Sequence, residues 1–193
     1  MKSITVYCGS SLGNDELFKS EAILLGKTLA KQKITMVYGG AKIGLMGAVA
    51  DGTLSEGGKA IGVIPHFLRT KEVANENLTE LILVHTMHER KTKMHELCDG
   101  IIALPGGFGT MEELFEVLTW AQLGLHEKPI GLLNTQGYYD DLLQLISKMV
   151  EKGFLKPINQ DQLLVSNDVN DLLEQMKNYK APIVHKWITD ETL

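Results

Sequence analysis

A chain of 193 residues with 44% hydrophobic and 22% charged side chains has the length for one buried core and the composition of an ordinary soluble globular protein. Its net charge of −5 excludes a broad nucleic-acid-binding surface but leaves room for a local basic pocket. No secretory signal and no apolar stretch of membrane-spanning length is visible, so the expected setting is the cytoplasm, away from nucleic acid and membrane.

Short apolar runs alternate with helical patterns along the chain. Ser3–Cys8 reads as a strand, and the helix after it carries Phe18, Ala22, Leu25 and Leu29 as one stripe. Ile34–Tyr38 is a second strand, Gly44–Ser55 a helix rich in small residues, and Ala60–Ile64 a third strand stopped by Pro65. Leu81–Val84, a helix over Thr86–Cys98 and the strand Ile101–Leu104 follow. Thr110–Leu123 is helical, with Leu114, Leu118, Ala121 and Leu125 in register. Pro129–Leu133, Asp140–Lys152, Gln162–Val165 and Asp168–Asn178 continue the alternation. Near-continuous apolar strands between helices predict an α/β fold, a Rossmann-like doubly wound parallel sheet in a single domain over residues 1–193. Residues 179–193 form a tail expected to pack on the domain or on a partner subunit.

Such sheets bind ligands beyond the carboxyl ends of their strands, where this chain places three glycine loops. They are Gly9-Ser10-Ser11-Leu12-Gly13, Gly39-Gly40-Ala41-Lys42-Ile43-Gly44 and Pro105-Gly106-Gly107-Phe108-Gly109-Thr110. A glycine loop feeding a helix offers free backbone N–H groups and the positive end of the helix dipole, which suits a phosphate. Each loop alone is explained by tight turns; three at one sheet edge point to a nucleotide. None is a Walker A loop, and none is GxGxxG with an acidic residue closing the next strand, which argues against an ATPase or a dinucleotide enzyme.

Thr110 and Glu113 have the spacing of a capping box, so Glu113 can cap the helix, face the sugar of a bound nucleotide, or do both. Arg90 shares a helical stripe with Met87, Met94 and Leu97, so it points inward, while Lys91 and Lys93 fall elsewhere around the helix. An inward guanidinium is a structural ion pair, a snorkelling side chain, or a ligand for an anion. Cys8 and Cys98 lack CxxC or zinc spacing and read as buried small hydrophobes in a reducing compartment. His85, His88 and His95 do not make HExxH, and no metal is expected. His185-Lys186 resembles the pair of some pyridoxal-phosphate enzymes but lies outside the glycine-loop constellation.

These motifs resemble the LOG (Lonely Guy) family of cytokinin-activating phosphoribohydrolases, formerly labelled lysine decarboxylase-like. PGGFGTMEE at Pro105–Glu113 matches PGGxGTxxE, and MHERK at Met87–Lys91 matches the arginine-bearing segment before it. VYCGSS at Val6–Ser11, YGGAKIGLMG at Tyr38–Gly47 and TWAQLGLHEKPIGLLN at Thr119–Asn134 are also similar, with Ala41 where many members carry a third glycine. The likeness runs from about residue 3 to residue 155. It implies hydrolysis of N6-modified adenosine 5′-monophosphates, with AMP accepted by some relatives, to a free base and ribose 5-phosphate.

The resemblance makes Arg90 and Glu113 the catalytic pair and has Gly107, Gly109 and Thr110 hold phosphate and ribose. Glu72, Lys91 and Thr119 line the site on the same basis. Gly106, Phe108, Met111, Glu112, Gly9, Ser10, Gly39, Gly40, Gly44 and Met46 complete the expected substrate-binding set. No metal or organic cofactor is implied, and the partners are a nucleoside monophosphate and further copies of the chain, as a homodimer or larger assembly with sites near the subunit interface. Loss of a purine from C1′ develops oxocarbenium character, which a carboxylate stabilises while orienting or deprotonating water. Arg90 then clamps either the phosphate or the departing base, and truncating it or neutralising Glu113 is expected to leave the fold intact. The competing reading is a non-catalytic nucleotide- or cofactor-binding protein of the same superfamily, a molybdenum-cofactor carrier or a nucleotide sensor. Such a protein keeps the glycine loops without requiring Arg90 and Glu113 together. Pyridoxal-dependent decarboxylation is a third and would colour the protein.

Overall fold

The computed structural model describes residues 1–69 and 74–182 of the chain. Its first half holds β1 (Ser3–Tyr7), α1 (Glu16–Lys31), β2 (Thr35–Tyr38), α2 (Gly44–Ser55), β3 (Ala60–Pro65) and β4 (Glu80–Val84). The second half holds α3 (Met87–Glu96), β5 (Gly100–Ala103), α4 (Phe108–Gln122), β6 (Ile130–Leu133), α5 (Asp140–Glu151), the short α6 (Pro157–Gln160), β7 (Leu163–Ser166) and α7 (Val169–Asn178). All seven strands join one parallel sheet in the order β4-β3-β2-β1-β5-β6-β7, the doubly wound α/β architecture that the alternation predicts.

The period-two alternation of the strands divides the core in two. Ile4, Met36, Tyr38 and Ile102 face α1, α2 and α7, meeting Leu25, Leu29, Val49 and Leu172. Tyr7, Val37, Val63, Ile101 and Ala103 face α3 and α4, meeting Met94, Leu114 and Val117. Small residues on both helices let α1 and α2 approach closely: a Cβ on Gly26 of α1 would fall 2.7 Å from the Thr53 backbone nitrogen, and one on Gly52 of α2 would overlap the Ile23 carbonyl oxygen.

The chain winds from β1 through β2 and β3 to β4 on one side, then returns to β5 on the other side of β1. The loops after β1 and β5 therefore part in opposite directions and open a crevice between them. Gly9 N–H donates to the Pro105 carbonyl at 3.0 Å and ties the two loops together at the crevice floor.

Element ends differ from the sequence reading in one place that matters. α4 begins at Phe108, not Thr110, with Gly107 as its N-cap and no side-chain capping bond. Gly107 takes the extended conformation of an N-cap, the helix starts at Phe108, and Thr110 lies inside its first turn, buried. The capping arrangement sits on α3 instead, where Thr86 Oγ1 accepts from Glu89 N–H at 3.1 Å and Glu89 Oε2 accepts from His85 N–H at 2.7 Å. Leu125, placed in the α4 stripe by its spacing, lies past the helix end and is exposed.

Candidate active site

A cleft of about 220 Å³ lies at the carboxyl ends of β1 and β2, between the first turns of α3 and α4. Gly9, Ser10, Gly39 and Met46 form one side, and Gly107, Phe108, Gly109, Thr110 and Glu112 the other; Arg90 and Glu113 line it too. The structure thus gathers most of the residues named from the motifs. Because α4 has no side-chain cap, its leading N–H groups are available to an anionic ligand, and the helix dipole favours one.

Arg90 is buried, and its guanidinium is held from behind. Nε donates to the Val63 carbonyl at 3.2 Å and Nη2 to the Gly39 carbonyl at 3.3 Å. The remaining Nη1 lies 3.8 Å from Glu113 Oε1, an ion pair whose side chains are 8% and 12% exposed. Two strand ends therefore aim this cation at one acid. Burial pushes the Glu113 carboxyl up to about 7; Arg90 pulls it down, Glu112 and Glu116 push it further up, and Lys91 opposes them. Tyr7 and Cys8 stand behind the pair, both held neutral: burial first, then the Glu113 charge, raises each well above its ordinary range.

Gly39 makes room for this arrangement, since a Cβ there would overlap Arg90 Nη2. Gly39→Ala is expected to push the guanidinium off its carbonyls and to lower kcat/KM about 100-fold, the scale of a misplaced reacting group. An unfolding curve near that of the wild type with full activity in steady-state assays would contradict this.

Several expected residues lie elsewhere. Gly40, at φ +79°, is a turn residue packed on Ile64 and Leu81, and its carbonyl accepts from Asn75 N–H. Gly44, at φ +62°, presses on the Ser10 backbone, where no side chain fits; with Leu45 N–H bonded to the Gly9 carbonyl at 3.0 Å, it supports the first loop from beneath. Gly106 turns its carbonyl to the Tyr138 hydroxyl at 2.5 Å, in a neighbouring hollow with Phe18 and Leu45. Met111 packs into the core behind α4. Thr119 bonds its hydroxyl to the Phe115 carbonyl and borders an apolar groove with Ile146 and Met149. Glu72 falls outside the described residues, as do His185, Lys186 and most of the tail.

Lys91 is the largest surprise. It is buried, and its Nζ donates to Glu112 Oε1 at 2.5 Å and to Glu116 Oε1 at 2.9 Å. It clasps α3 to α4 and does not line the cleft. The signal for the clasp was the i, i+4 spacing of Glu112 and Glu116, which puts both acids on one face. Met87 and Met94 in the cleft wall also escaped the sequence reading as site features. Among the described residues, no three His, Cys, Asp or Glu side chains gather as metal ligands, and no helix is long and apolar enough to cross a membrane.

A doubly wound sheet with glycine loops at its switch point, an uncapped helix N-terminus and a buried acid–guanidinium pair define a Rossmann-like α/β protein with a cleft at its sheet edge. The family model described as "Possible lysine decarboxylase" matches residues 46–176. The chain is 46% identical to the cytokinin riboside 5′-monophosphate phosphoribohydrolase LOG1 of Arabidopsis thaliana, over 92% of this chain and 84% of that protein. It is 43% identical to LOG7 of the same plant, covering 98% and 89%. Among solved structures, the molybdenum cofactor binding protein of Rippkaea orientalis superposes with a TM-score of 0.68 at 20% identity, covering 92% of this chain and 97% of that one. The molybdenum cofactor carrier protein of Chlamydomonas reinhardtii gives 0.67 at 20%, covering 91% and 96%. The chain belongs to the LOG family, formerly labelled lysine decarboxylase-like.

Proposed function

We propose that this protein is a phosphoribohydrolase that cleaves the N-glycosidic bond of N6-modified adenosine 5′-monophosphates, with AMP a further substrate. The observation that carries the reading is the Arg90–Glu113 pair, 3.8 Å apart and buried beneath the uncapped start of α4. The names of the relatives at 43–46% identity support it. Likeness to the molybdenum-cofactor proteins extends to the fold alone.

In this reading the substrate phosphate lies on the N–H groups of the Gly107–Thr110 turn, which brings the ribose over Glu113. The C1′–N9 bond breaks with its electron pair leaving on the purine, and positive charge grows on C1′ and the ring oxygen. Ionised Glu113 stabilises that charge and takes a proton from the water whose oxygen bonds to C1′. The purine takes that proton from Glu113, directly or through solvent water, and leaves as the neutral base, which restores the carboxylate; ribose 5-phosphate follows. Arg90 favours the ionised form of Glu113 and orients it, and its guanidinium lines the cleft where substrate would lie. Water, a carboxylate and a guanidinium suffice for this hydrolysis.

Because the reacting form is the carboxylate and its carboxyl titrates at about 7, kcat/KM rises with pH through about 7 and then levels. A profile flat from pH 5 to 9 would remove Glu113 from this role. Chromatography of incubations with isopentenyladenosine monophosphate, AMP and other nucleoside monophosphates tests the activity itself. Free base and ribose 5-phosphate in equal amounts are expected; binding without products would favour a carrier or sensor.

The functional unit we propose is one nucleotide-binding domain, working in the cytoplasm as a homodimer or larger assembly. The apolar groove of Phe115, Leu118, Ile146, Met149 and Leu155, with exposed Phe108 and Phe154 beyond it, supports self-association. Sedimentation analysis of the wild type should show no monomer at micromolar concentration; a monomer would contradict that assembly.

A further inference from the structure

Three carboxylates, Glu112, Glu113 and Glu116, crowd the first turns of α4, and two neighbouring cations on α3 face them. The cations divide the acids between them. Arg90 meets Glu113, while Lys91 holds Glu112 and Glu116 at 2.5 and 2.9 Å with its own side chain 8% exposed. A buried ammonium of this kind is costly without partners, and a row of unpaired acids beside Glu113 would be costly too. Each arrangement relieves the other.

The residues facing Glu113 make the consequence specific. From α3 come Arg90 and Lys91, and from α4 itself Glu112 and Glu116. From β1 comes Tyr7 and from the loop after it Cys8, both neutral. If Lys91 is removed, two negative charges adjoin the acid and one positive charge remains.

We propose that Lys91 is a positioning residue: it locks the first turns of α4 to α3 and cancels the charge of Glu112 and Glu116, so that Arg90 is the dominant charge felt by Glu113. Its contact is with protein carboxylates, and it acts on the reaction through them. The proposal rests on Glu113 being the reacting carboxylate, but it can be read in protein without substrate. Failure of the charge coupling and failure of the hydrolase reading are then separate results.

The experiment follows the Glu113 carboxyl by NMR in protein labelled with ¹³C at the glutamate carboxyl carbon, assigned by the signal lost in Glu113→Gln. In Lys91→Met the Glu113 midpoint moves up by about one pH unit, the effect of exposing a neighbouring acid to like charge. In the triple variant Lys91→Met/Glu112→Gln/Glu116→Gln it returns to the wild-type value. Glu116→Gln alone, which leaves Lys91 with one partner, moves it down and decides the matter even if Lys91→Met does not fold. An unmoved midpoint in Lys91→Met or in Glu116→Gln overturns the proposal. So does a triple variant that stays shifted, because distortion rather than charge would then be the cause.

Discussion

Glu113→Gln lowers kcat about 1,000-fold, the scale of losing a positioned general base, while the affinity for nucleoside monophosphate stays near that of the wild type. Gln fills the same space and can still meet Arg90, so the cleft keeps its shape. What disappears is the ability to carry negative charge and accept a proton. The same change stabilises the protein above neutral pH. Glu113 titrates at about 7 when folded, against an ordinary value of 4.5, so the folded state holds its proton more tightly than the unfolded state does. Stability from that tightness is complete below about pH 4.5 and is lost as pH rises through about 7. Wild type therefore carries a burden at pH 8 that it lacks at pH 4.5, up to roughly 3 kcal/mol. Urea unfolding at the two pH values should show Glu113→Gln more stable than wild type at pH 8 and little different at pH 4.5. A variant less stable at pH 8 would mean that Glu113 is ionised at little cost in the folded protein.

Arg90→Ala has the second large effect, and it acts in three ways. The Gly39 and Val63 carbonyls lose their donor in a buried setting, which costs about 2 kcal/mol. Glu113 loses its cation, so its carboxyl rises above about 7 and less of it is ionised at neutral pH. Any substrate contact of the guanidinium edge disappears as well. Turnover is expected to fall by at least about 100-fold, and the remaining activity should need a more alkaline pH. Arg90→Lys rescues little, because one ammonium cannot span two carbonyls and a carboxylate in the geometry of a planar fork. Residual kcat/KM with an unshifted pH profile would show that Arg90 does not govern Glu113. The fold is expected to stay intact in Arg90→Ala, less stable by the loss of its two backbone partners.

Much of this was legible in the chain because apolar strands and glycine turns are local signals. Ile4, Met36 and Ile102 read as strand core and are core; Gly9, Gly39 and Gly107 read as loop ends and meet at one cleft. Arg90 was readable as inward-facing because it shares a helical stripe with Met87 and Met94. Its neighbour was not. Lys91 looks solvent-facing if α3 has one buried face, but α3 packs on the sheet and also meets α4, so a second face is closed. Thr110 fits a capping box only if it is the N-cap, and that place belongs to Gly107, so the helix starts two residues earlier. Thr119 lies six residues beyond Glu113, about 9 Å along the helix and turned well away from it. Side-chain partners brought together by tertiary packing have no fixed spacing in sequence, and those were the parts missed.

The most direct trial is a crystal structure of Glu113→Gln with an intact N6-modified adenosine monophosphate. The ligand should rest its phosphate on the amides of the Gly107–Thr110 turn, with C1′ within about 3.5 Å of the residue 113 side chain or of a water bound to it. A phosphate seated elsewhere, or a sugar remote from residues 90 and 113, would contradict the account.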